Sequence, residues 1–116
     1  MPDALVTRRQ STSLDVAPAH LALLRAILAR HVPDRTVVAF GSRAVGPTKP
    51  WSDLDLAILG EERLPPVVVA RLASDLEESL LPFRVDVIER ATVSAEFGRR
   101  IDREALVIQI QAGSHE

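Results

Sequence analysis

The sequence has no cysteine and no tyrosine, and its aromatic residues amount to only 3%. Without cysteine there is neither a disulfide framework nor a thiolate metal site, a usage that fits the reducing cytoplasm. With so few rings, the core has to be built from Val, Leu, Ile and Ala, as suits interleaved helices and strands. No apolar run reaches the ~18 residues of a membrane span. The N-terminal residues lack the basic, apolar and small-residue blocks of a signal peptide. No membrane segment is therefore expected. The formal net charge is −2, with both signs interspersed. Bulk charge thus gives no reason to expect direct contact with nucleic acid.

What is present is a chain of 116 residues, 47% of them hydrophobic, long enough for one domain with its own core. Residues 1–16, including "TRRQSTS", are polar and patternless and read as a flexible arm. The domain is expected over 17–110, with a polar tail at 111–116. In 17–31, "APAHLALLRAILARH", Leu21, Leu24 and Leu28 recur on one helical face together with Ile27. Pro18 sits in the first turn, where proline is tolerated. Residues 36–40 ("TVVAF") form a β-branched strand that breaks at Gly41-Ser42, and 43–45 make one helical turn. Residues 54–59 ("LDLAIL") are a second strand, apolar on both faces after Asp55 and so placed inside the sheet. A helix opens at Pro65-Pro66 and runs to about residue 80, with Val69, Leu72, Leu76 and Leu80 as its buried stripe. Residues 83–89 ("FRVDVIE") are a third strand, and a helix over 94–103 turns Phe97 and Ile101 inward. Residues 105–110 ("ALVIQI") are open between strand and helix end. The order of elements predicts an α/β fold, a small mixed sheet flanked by helices.

Two aspartates, Asp53 and Asp55, head the second strand, and Asp86 lies in the middle of the third. Residues i and i+2 of a strand share a face. If these strands are neighbours, three carboxylates converge. Uncompensated, they repel and their pKa values rise, and a divalent cation relieves this. Hard oxygen ligands suit Mg²⁺, which takes one or two carboxylates plus substrate phosphates. Two such ions about 3.5–4 Å apart clamp an in-line displacement at phosphorus. Taken singly, Asp53 also reads as a turn residue and Asp86 as a solvent-facing strand position. A glycine at a strand-to-helix turn lets the backbone approach a ligand. Ser42 is placed to cap the short helix, whose exposed N–H groups favour phosphate. Arg43 adds a charged donor.

"GSRAVGPTKPWSDLDL" followed by "RVDVIE" resembles the nucleotidyltransferases of the DNA polymerase β superfamily: Gly-Ser, a spacer, Asp-x-Asp, then a third carboxylate on a later strand. The short length resembles the minimal nucleotidyltransferase (MNT) group, antitoxins paired with HEPN-domain RNase toxins. The resemblance spans about residues 17–103. It implies that Gly41 and Ser42 hold a triphosphate, with Arg43 as a further phosphate contact. Asp53 and Asp55 would bind two Mg²⁺ ions, and Asp86 the catalytic one while helping to activate the attacking hydroxyl. It also implies transfer of AMP from ATP to a tyrosine of a HEPN toxin. This chain lacks tyrosine, so any acceptor tyrosine lies elsewhere. Few residues remain for an acceptor-binding domain, so the acceptor is small or arrives on a partner. Two alternatives stand beside the antitoxin enzyme: an antitoxin that neutralises by binding alone, and a small-molecule, aminoglycoside-type nucleotidyltransferase.

Other residues read as structural or solvated. His20 and His31 lack a third metal ligand nearby, and His115 is in the tail. Lys49 is a solvated loop lysine or a phosphate contact. Trp51 packs over the rim of the site or stacks on a base. Arg99, Arg100 and Arg103 form a basic helical face.

Overall fold

The computed structural model describes residues 9–10, 14–49 and 52–112; Trp51 and His115 lie outside the described residues. The elements are β1 (Arg9–Gln10), α1 (Pro18–His31), β2 (Val37–Phe40), α2 (Ser42–Val45), β3 (Leu54–Ile58), α3 (Pro66–Glu78), β4 (Val85–Glu89), α4 (Ala95–Glu104) and β5 (Leu106–Gln109). A 3₁₀ turn, Arg90–Thr92, joins β4 to α4. The five strands form one mixed sheet in the order β1-β5-β2-β3-β4. β2 pairs antiparallel with both β3 and β5. The crossover through α3 returns the chain parallel to β3, so β4 pairs parallel with it at the sheet edge.

Alternation along the strands divides the core in two. Leu54, Leu56 and Ile58 of β3, with Val37 and Ala39 of β2, meet Leu24 and Leu28 of α1 and Leu72 and Leu76 of α3. On the opposite face, Val38, Phe40 and Ala57 meet Ile101 of α4 and Ala105. Both β2 and β3 are flanked by strands on each side, which accounts for their near-continuous burial. Residues 105–110, open in the sequence, supply a strand: Leu106 and Ile108 alternate inward against β2.

Two expectations are corrected. The stretch read as a flexible arm contains β1, which pairs parallel with β5. Leu14 is buried in the main core, and Asp15 N–H donates to the Arg43 carbonyl at 2.9 Å. Polar composition hid these because the pairing is only two residues long and the anchor is a single leucine. Leu80 is 89% exposed rather than part of the α3 stripe. α3 stops at Glu78, and Ser79 is extended and turns its Oγ back onto the Leu76 carbonyl at 2.7 Å. Glu77 and Glu78 also weaken the last turn, where the helix dipole disfavours anions.

The histidines on α1 are structural. Arg30 and His31 both reach Asp75 Oδ2, at 2.8 and 2.9 Å, and tie α1 to α3. The His31 bond, chiefly, lowers the Asp75 pKa. The His20 ring meets Phe83 edge-on. Among the described residues no helix is long and apolar enough to cross a membrane.

Candidate active site

The site begins where β2 ends. Gly41 has φ +82°, a conformation that L side chains rarely adopt. Its carbonyl accepts the N–H groups of Ala44 and Val45 at 2.9 and 3.0 Å, which starts α2. A Cβ at this position would stand 2.5 Å from Asp55 Oδ2. Glycine is thus required twice over, by the turn and by the carboxylate pressed against it. A Gly41→Ala change is expected to destabilise the fold by about 1–3 kcal/mol through backbone strain and to push Asp55 aside. Thermal unfolding and nucleotide titration of the variant check both effects.

The register places two of the three aspartates side by side. Phe40 pairs with Asp55 across β2–β3, and Asp55 with Asp86 across β3–β4. All three side chains lie on the face covered by α4, because cross-strand partners share a face. Asp55 is half-buried; Asp53, just before the strand, is exposed on its solvent side. Burial raises the Asp55 pKa, and the charges of Asp86 and Asp53 raise it further, against an opposing pull from Arg100. A carboxyl with a raised folded-state pKa stabilises the fold when protonated, and that stability is lost as pH rises through the folded value. At neutral pH and without metal, ionised Asp55 therefore opposes folding. Asp55→Asn is expected to raise Tm at pH 7, and the gain should shrink as pH falls toward the ordinary value of 3.8. Melting curves across pH test this.

The other nominated residues fall differently. Arg43 is 8% exposed. Its Nε donates to the Ser52 carbonyl and its NH1 to the Asp15 carbonyl, each at 2.9 Å. Its guanidinium lies 4.4 Å from the centre of the Phe83 ring. These bonds make Arg43 a clamp on the loop that leads to Asp53, a role that the sequence reading did not give it. Ser42 is the first residue of α2, not its side-chain cap; Gly41 holds the cap position without a side-chain bond. The Ser42 carbonyl accepts from Gly46 N–H and Thr48 Oγ1. Lys49 is exposed, and its backbone N–H donates to Ser52 Oγ at 3.0 Å. Asp86 receives Arg84 Nε at 3.0 Å from the same strand face.

Sequence reasoning missed Glu104. Its Oε1 accepts the Gly41 N–H at 2.9 Å, and its Oε2 accepts Arg100 Nε at 3.2 Å. Arg100, read as part of a solvated basic face, thus belongs to the site. Phe97 supports it, with the Arg100 guanidinium 5.7 Å from its ring centre and Phe40 packed edge-on at 5.8 Å.

Among the described residues no three histidine or acidic side chains are gathered into a ready cage for an ion; Asp86 is paired with Arg84 and Asp53 faces solvent. The donor set still fits a hard divalent cation. It offers only carboxylate oxygens, and Asp55 and Asp86 stand in register on adjacent strands.

The nucleotidyltransferase-domain family profile matches residues 21–108. A Haemophilus influenzae protein named as probable protein adenylyltransferase MntA is 47% identical over 96 residues, covering 83% of this chain and 84% of the relative. A solved structure assigned as a minimal nucleotidyltransferase is 35% identical, with a TM-score of 0.57 over 75% of this chain and 87% of that one. A complex of a tri-AMPylated Shewanella oneidensis HEPN toxin with its MNT antitoxin matches with a TM-score of 0.61 at 18% identity, over 80% and 71% of the two chains. At that identity the last match speaks for a shared fold. With a strand–Gly-Ser turn–strand unit that sets the Asp55 carboxylate against the turn, and a family match over most of its length, the chain belongs to the nucleotidyltransferase domain family.

Proposed function

We propose that this protein is a Mg²⁺-dependent adenylyltransferase that moves AMP from ATP to a hydroxyl of a HEPN-type RNase toxin, and that it acts in the cytoplasm as the toxin's antitoxin. The observation that carries the reading is Asp55, pressed against Gly41 on one side and in register with Asp86 on the other. The 47% identical relative is named as a protein adenylyltransferase. A chain of the same fold is paired with an AMPylated toxin.

In this reading the backbone N–H groups of Gly41 and Ser42 hold the phosphates. Asp53, Asp55 and Asp86 would hold the two Mg²⁺ ions, which when bound neutralise the phosphates and polarise the reacting phosphorus. The acceptor oxygen forms a bond to the α-phosphorus as the bond to the β-phosphate oxygen breaks, and pyrophosphate leaves. Asp86 stands on the edge strand with its side chain 40% exposed, open to an incoming acceptor, and its carboxylate takes the hydroxyl proton. Arg84, its present partner, supplies positive charge beside it. The acceptor is not a tyrosine of this chain, which has none. Between the strands and helices the described residues form only short connections, with no second unit to seat an acceptor, so the acceptor surface comes from the partner.

The test is the intact mass of the partner toxin after co-expression. Mass corresponding to one or more adenylyl groups is expected with this protein and not without it. A toxin that co-purifies but stays unmodified would leave a binding antitoxin in place of the enzyme.

A further inference from the structure

Glu104 is the last residue of α4, where the helix dipole disfavours an anion. Its helical partner Arg100 precedes it by four residues, the weaker of the two orders for such a pair. Helix energetics therefore do not explain a carboxylate at this position, but its contacts do. One oxygen takes the Gly41 N–H across 63 residues of sequence, and the other takes Arg100 Nε. Gly41 is also the residue against which Asp55 Oδ2 stands. Both Arg100 and Glu104 act on the Asp55 carboxyl through their charges. The site thus contains a fourth carboxylate, and this one is bonded to the turn.

We infer that the Glu104 carboxylate holds the Gly41 amide in the place of a nucleotide phosphate oxygen, and that nucleotide binding displaces it and passes Arg100 to the phosphates. The inference rests on the reading of the Gly41-Ser42 turn as the phosphate seat. A single N–H cannot serve both a carboxylate and a phosphate oxygen at full strength. While Glu104 is in place it also adds negative charge to a site already holding Asp53, Asp55 and Asp86, which repels a polyphosphate. Arg100 neutralises Glu104 in this state. Once Glu104 swings away, that guanidinium is a donor of the right charge and shape for phosphate. The arrangement lowers nucleotide affinity by the fraction of molecules in which the amide is released. Glu104 is in this sense a positioning residue that sets how readily the site fills.

The test is calorimetric titration of the full chain with ATP and, separately, with inorganic tripolyphosphate, both with Mg²⁺. Wild type, Glu104→Gln and Glu104→Ala are compared. Gln keeps an oxygen for the Gly41 N–H but removes the charge, so it preserves the local fold. Both ligands are expected to bind Glu104→Gln about tenfold more tightly than wild type, because a charge-assisted bond is exchanged for a weaker neutral one. The two ligands should gain by similar factors, since Glu104 competes with phosphate and not with the base. Glu104→Ala should bind more tightly still while melting at a lower temperature, because it leaves the Gly41 donor and Arg100 without this partner. A merely structural Glu104 would lower stability and affinity together. Unchanged or weaker binding by both variants, with wild type still binding, overturns the inference and leaves the phosphate seat standing. A gain for ATP without one for tripolyphosphate overturns it as well. If no form binds either ligand, the phosphate seat itself is wrong and the inference falls with it.

Discussion

Replacing Asp53 and Asp55 together by asparagine is expected to lower adenylyl transfer by about 10³-fold or more while leaving the fold and the toxin complex intact. The size follows from what the carboxylates do in the proposed chemistry. Metal ions neutralising a transferring phosphoryl group contribute several kcal/mol to transition-state stabilisation, and about 1.4 kcal/mol is a factor of ten. Asparagine keeps the shape of each side chain but supplies a weaker, neutral oxygen. The fold should survive because Asp53 is exposed and ionised Asp55 opposes folding without metal. The measurement is the intact mass of the co-expressed toxin, read with a co-purification assay. Loss of the added mass with retained co-purification is the expected pair of results. Modification at the wild-type rate would remove the aspartates from the chemistry. Loss of both modification and binding would mean that the carboxylates support the interface.

The second large effect is on stability. Arg43→Met is expected to cost about 3 kcal/mol, a fall in Tm of about 10 °C for a chain of this size. Arg43 is buried, and it donates to the carbonyls of Asp15 and Ser52. Met fills much of the volume but leaves both carbonyls without these donors, and it gives up the stacking on Phe83. Arg43→Lys should recover less than half, because one ammonium cannot span two carbonyls and lie flat on a ring. Were Arg43 a phosphate contact instead, Arg43→Met would weaken ATP binding and leave Tm almost unchanged. Denaturation and nucleotide titration of the two variants separate these roles.

Arg43 also shows where sequence reading reaches its limit. That Asp55 and Asp86 share a face was legible because strand alternation and neighbouring hydrophobic runs determine which way a side chain faces. The strand pairing then brought Asp55 and Asp86 into register, as the pattern required. Gly41 was legible because a glycine that ends a β-branched run, just ahead of a serine, marks a turn out of the strand. Arg43 was not, since arginine beside a polar loop is usually solvated. Its burial depends on Phe83 and on the backbone at Asp15, which no local pattern announces. Glu104 was hidden for the same reason. Its partner Gly41 is 63 residues away, and a Glu at a helix end looks like surface. The fold itself was largely readable from periodicity, except where pairing is too short to leave a signature, as in β1, or where an apolar run is as compatible with a helix end as with a strand, as in residues 105–110.

The two faces of the sheet are unequally clothed. Among the described residues two helices, α1 and α3, cover one side, and α4 alone lies on the other. Five strands spaced about 4.8 Å apart are wider than one helix about 10 Å across. Among the described residues a strip of sheet is therefore left without a helix over it, and Asp86 stands on its edge strand. Among the described residues no lid shuts water out of that strip. In the proposed reaction the acceptor protein has to serve as the roof, so the arriving toxin dries the very phosphorus it is to receive. Wasteful hydrolysis of nucleotide and productive transfer would then be told apart by docking, and the sparing use of helices on one face becomes a form of substrate control.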